Sequence, residues 1–101
     1  MTDKYKVIDE FINNIYEFIR LEMLYDSDAK LYDYYVEVAS NLYYDIIVFC
    51  TQHVTRNDDN SFNIKGIHMC VNNKLERNEY KLLKVVDQGI VILWLQKNRN
   101  N

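Results

Sequence analysis

The chain has no proline, two glycines and two alanines in its 101 residues. Each scarcity excludes something. Proline breaks helices by removing a backbone donor and clashing with the preceding turn, so nothing in the composition interrupts a long helix. With Gly66 and Gly89 alone, there is no glycine-rich loop of the kind that cradles phosphates or dinucleotides. Ser27, Ser40 and Ser61 are the only serines, and none sits in a Gly-x-Ser-x-Gly elbow. No apolar run approaches the ~20 residues that span a bilayer. Two cysteines, Cys50 and Cys70, behind a polar Met-Thr-Asp-Lys start, lead us to expect reduced thiols and a cytoplasmic location (host cytoplasm if the source is viral).

What is present is skewed the other way. Asn (12), Ile (10), Tyr (9), Lys (8) and Phe (4) dominate. These residues have A/T-rich codons, which points to an A/T-rich genome: a low-GC bacterium, its phage or plasmid, or a large DNA virus. Hydrophobic residues make up 49 % and charged ones 27 %, the balance of a folded domain rather than a disordered chain. The length fits one domain, 1–101. Charge is divided along it: residues 1–50 carry 4 cations and 10 anions, residues 51–101 carry 8 and 5, for a net charge of −3.

Apolar periodicity predicts helices over 3–24 and 29–54. In the first, Ile8, Phe11, Ile12, Ile15, Phe18 and Ile19 recur at spacings of three and four. In the second, Leu31, Tyr35, Val38, Ala39, Leu42, Ile46, Phe49 and His53 line one stripe. A polar loop, 55–61, follows. Residues 62–71 fit either a strand or a helix. Asn73 and Glu76 have capping-box spacing and predict a third helix over 74–88, stopped at Gly89. The run Ile90-Val91-Ile92-Leu93-Trp94-Leu95 reads as a buried strand, paired with 62–71, before a frayed tail at 98–101. The expected fold is mainly α within an α+β class. Two long antiparallel N-terminal helices pack on a mixed C-terminal half, 62–97, containing the third helix and two short strands. An all-α bundle is the alternative.

Three features bear on function. Cys50, His53, His68 and Cys70 flank the polar loop and have the donor types of a Cys₂His₂ zinc site. The bland reading of a buried thiol and a helix-end histidine outweighs it, so no metal or other cofactor is expected. Lys74, Arg77, Lys81 and Lys84 would form a basic ridge on a 74–88 helix, able to contact phosphates. An acidic chain argues against that use. Tyr34, Tyr44 and Val48 would lie together on the outer side of the second helix, and tyrosine favours protein interfaces. With no catalytic constellation in view, the expected function is non-enzymatic. It is that of a small protein-binding module, encoded by a virus, phage or mobile element, which binds a host or partner protein or forms a homodimer. Nucleic-acid binding through the 74–88 ridge is the second reading. No membrane association is expected.

Overall fold

The computed structural model describes residues 3–50, 54–57 and 61–96. These form two α-helices and one six-stranded mixed sheet. Helix α1 is Asp3–Tyr25 and α2 is Ser40–Phe49. The strands are β1 (Tyr34–Val38), β2 (Val54–Arg56), β3 (Phe62–Ile64), β4 (Ile67–Val71), β5 (Tyr80–Val86) and β6 (Gly89–Gln96). Their order across the sheet is β2-β3-β4-β1-β5-β6. Only β1 and β4 run parallel; the other neighbours are antiparallel.

Helix α1 follows the sequence reading. Ile8, Ile12, Ile15 and Ile19 form one buried row along it, as the 3.6-residue period requires. This row packs on one face of the sheet together with Leu42 and Ile46 of α2. The sheet meets them with Tyr34, Val36 and Val38 from β1, Phe62 and Ile64 from β3, Ile67 and Met69 from β4, and Leu82 from β5. Both helices thus cover the same face. The opposite face carries Tyr35 and Glu37 of β1, His68 and Cys70 of β4, and Lys81 of β5. Alternation along each strand places them there.

Three sequence expectations are corrected. The single helix over 29–54 does not form: a 3₁₀ turn at Leu31–Asp33, strand β1 and the shorter α2 occupy that stretch. The stripe through Leu31, Tyr35 and Val38 was numerically helical. However, Tyr34-Tyr35-Val36-Glu37-Val38 alternates with period two, is rich in β-branched and aromatic residues, and is buried in that alternation. Position in the sheet centre, flanked by β4 and β5, decides between the periods. The third helix over 74–88 is also absent. In place of the Asn73–Glu76 capping box, the side chains of Asn72 and Glu79 build turns. Asn72 Oδ1 accepts from the Lys74 amide at 2.9 Å, and Glu79 Oε1 accepts from the Glu76 amide at 2.9 Å. Such side-chain to backbone bonds are the alternative that Asn offers to a helix. Strand β5 then follows. Segments 67–71 and 89–96 are strands, but they do not pair with each other: β4 lies between β3 and β1, and β6 lies beside β5. The protein is therefore neither mainly helical nor an all-α bundle. The predicted tail, 98–101, lies outside the described residues.

One glycine is required by its turn. Between β3 and β4, Lys65 and Gly66 take φ values of 54° and 82°, the left-handed pair that closes a two-residue hairpin. A Cβ on Gly66 would stand 2.8 Å from Leu31 Cδ2. Among the described residues, no helix is long and apolar enough to cross a membrane.

Candidate interaction surface

Strand β6 is the last in the sheet, and among the described residues no strand pairs with its outer side. It is eight residues long and carries no charge. Ile90, Val91, Ile92, Trp94 and Leu95 are each 40–59 % exposed. A register shift marks the strand. Leu82 stands opposite Trp94 and Leu83 opposite Ile92, so Leu93 is an extra residue, a β-bulge. Val91 faces the helix side, because it stands opposite Lys84, whose ammonium lies over the Tyr34 ring. Ile90, opposite Val85, and Leu95, opposite Lys81, face the open side.

Helix α1 extends the apolar surface. Phe11 meets Tyr80 edge-on at 4.8 Å between ring centroids, and Phe18 meets Trp94 at 6.1 Å. These two phenylalanines flank the buried isoleucine row on the side of β5 and β6. At 100° per residue, Val7, Asn14, Leu21 and Tyr25 lie next around the helix, beyond the phenylalanines. Val7, Leu21 and Tyr25 are exposed. Between helix and strands is a cleft of about 240 Å³ lined by Asn14, Ile15, Phe18, Tyr80, Leu82 and Trp94. Burial pushes the Tyr80 hydroxyl pKa up, and a hydrogen bond with the Trp94 side chain opposes this.

The residues singled out in the sequence are placed differently. Tyr34 is fully buried at the start of β1. It cannot present its ring to a partner, because it points inward with Val36 and Val38. Burial raises its pKa against the pull of Lys84. Tyr44 and Val48 are exposed, one turn apart on α2, without Tyr34 beside them. The basic ridge is not formed. Lys74 and Arg77 lie in the turns before β5, while Lys81 and Lys84 are three apart on a strand and so point to opposite faces. Lys81 stands in register beside Glu37. Lys84 Nζ donates to Asp26 Oδ2 at 2.6 Å. That bond holds the Asp26 carboxyl below its usual range and Lys84 above its own. With no 74–88 helix, the reading of a nucleic-acid-binding helix falls.

The sheet separates the zinc donors. Cys50 is buried in the core under the helices, where burial pushes its thiol up. His68 and Cys70 are on the open face. His53 lies outside the described residues. His68 Nδ1 is 3.2 Å from Asn63 Oδ1, which also accepts from Asn57 Nδ2 at 3.1 Å. An oxygen that already accepts there calls for a proton on Nδ1. Among the described residues, no group of three or more His, Cys, Asp or Glu side chains is placed to hold a metal.

Sequence reasoning missed the edge position of β6. Strand order is not written in the run itself, but its demand for cover is. A continuous apolar strand is the pattern of one covered on both faces, yet this strand is exposed on both. Comparison with protein-family models, curated proteins and solved structures returned no match.

Proposed function

We propose that the protein is a non-enzymatic protein-interaction module that engages its partner by strand addition to β6. One observation carries this reading. The strand whose sequence demands cover on both faces is the strand the fold leaves at an open edge. Proteins ordinarily blunt such edges with charge, proline or brevity, because an open edge templates pairing with another chain. Strand addition supplies backbone hydrogen bonds along the edge, while neighbouring pockets read alternate side chains. The cleft beside Trp94 is placed to take one such side chain. The amino-acid usage supports an origin in a virus, phage or mobile element of an A/T-rich genome. Neither cysteine is in a disulfide, which suits a cytoplasmic setting.

The test uses Trp94, the only tryptophan in the chain. Displayed random peptides are selected on the wild-type protein and on the Ile92→Lys variant. Extended peptides with alternating apolar residues should bind the wild type, shift Trp94 emission, and lose about tenfold or more in affinity for the variant. Recovery of no peptide whose binding depends on β6 would remove the proposal.

A further inference from the structure

We infer that the strand covering β6 is β6 of a second copy of this chain, paired antiparallel about a two-fold axis. This rests on the strand-addition reading and names its occupant.

The strand is complementary to itself. An isologous interface sets each residue against its counterpart's partner, so a surface must fit its own rotated copy. Setting Ile92 of one copy opposite Leu93 of the other fixes the whole register. Val91 then meets Trp94 on the helix face, and Ile90 meets Leu95 on the open face. Each of these two pairs joins exposed apolar side chains on the same side of the sheet, while Leu93 packs against the core. The bulge makes this work. In a regular strand, Val91 and Trp94 would point to opposite faces and could not stand opposite each other. The extra residue at Leu93 returns Trp94 to the face of Val91, and it sits at the symmetry axis.

Charge permits the pairing. Like charges directly opposite each other destabilise a sheet, and β6 has none from Gly89 to Gln96.

Helix α1 completes the surface. A two-fold axis perpendicular to the sheet places both α1 helices on the same face of a continuous twelve-stranded sheet. Their uncharged stripes of Val7, Asn14, Leu21 and Tyr25 then face each other across the paired Trp94 rings. A strand edge alone falls short of the roughly 1,200 Å² that specific interfaces bury in total, and the two stripes add the remainder.

The experiment is sedimentation equilibrium of the full-length chain up to about 100 μM, the regime of an interface at the small end of the range. Wild type should be a dimer at the top of that range. Ile92→Lys should be monomeric with an unchanged far-UV spectrum, its association weakened about tenfold or more. A mixture of Val91→Cys and Trp94→Cys chains, oxidised in glutathione buffer, should yield the mixed disulfide faster than either variant alone yields its own. A wild-type monomer at 100 μM whose β6 still binds selected peptides would overturn the dimer and leave strand addition standing. A dimer that survives Ile92→Lys would overturn it too, because another surface would then hold the copies together. A monomer with no β6-dependent peptide would remove both readings.

Discussion

The two edges of the sheet are built by opposite rules. Strand β2 is three residues long, Val54-Thr55-Arg56, with Thr55 and Arg56 exposed. It is short, polar and charged, and Arg56 reaches back to the Tyr43 hydroxyl at 3.3 Å. Strand β6 is more than twice as long, and apolar and uncharged from Ile90 to Leu95. The first edge ends the sheet. The second lacks the charge, proline and brevity that end sheets and carries only a bulge. One chain thus shows how an edge is closed and how it is left available, which argues that the open one is a selected surface rather than an oversight of a small fold.

Substituting interior and edge strands in parallel tests that contrast most strongly. Ile67 of β4 is buried and Ile92 of β6 is half exposed. Ile67→Ala should cost about 2–5 kcal/mol of stability. Ile92→Ala should stay within about 0.5 kcal/mol, with both read from urea midpoints at dilute, monomeric concentration. Equal losses would show that β6 is already packed within one chain. The glycines at the two hairpins come next. Gly66→Ala meets Leu31 and a left-handed φ together and should cost about 1–3 kcal/mol. Gly89 has φ 139° but open space around it, so Gly89→Ala should cost less. Thermal melting of the two variants compares them directly.

A smaller effect comes from exchanging the edges. Thr55→Val with Arg56→Ile gives β2 the character of β6 and should raise self-association, measured by light scattering against concentration. The smallest effect is the pH dependence of the Asp26–Lys84 bond, which anchors the end of α1 to β5 beside the open edge. The Asp26 pKa is lowered in the folded state. Its contribution is therefore present above the ordinary carboxylate range and lost as pH falls through the lowered value. Wild type should exceed Asp26→Asn in stability at neutral pH, and the gap should close in acid. A constant gap across that range would show that the hydrogen bond, not the charge, matters.

How much of this was legible in the sequence differs by region. Helix α1 was readable because its isoleucine row depends on one element's own period. Strand β6 was readable as a strand from its length and β-branched residues, which are equally local. Strand β1 was not, because five residues that alternate also fit a helical stripe when embedded in a longer apolar stretch. Only its neighbours β4 and β5, each more than thirty residues away in the sequence, select the extended form. Asn73 and Glu76 misled for a related reason. The side chains that cap helices also close turns, and β5's place beside β1 decides which they do. Among the functional candidates, the run Ile90–Leu95 was visible, but its edge position is a property of strand order, which no local pattern encodes. Tyr34 was misplaced as soon as β1 was read as helix.

Strand β1 has one further consequence, in the order in which the chain can assemble. Hairpins β3–β4 and β5–β6 are local and close on short loops, whereas both neighbours of β1 come from far downstream. Contacts between distant segments form slowly because a long loop must close before they stabilise anything. The central strand thus precedes both of its partners in the chain and is completed last. It gains its first neighbour only with β4 and its second only with β5, so a chain cut before β5 would make the centre of the sheet its open edge.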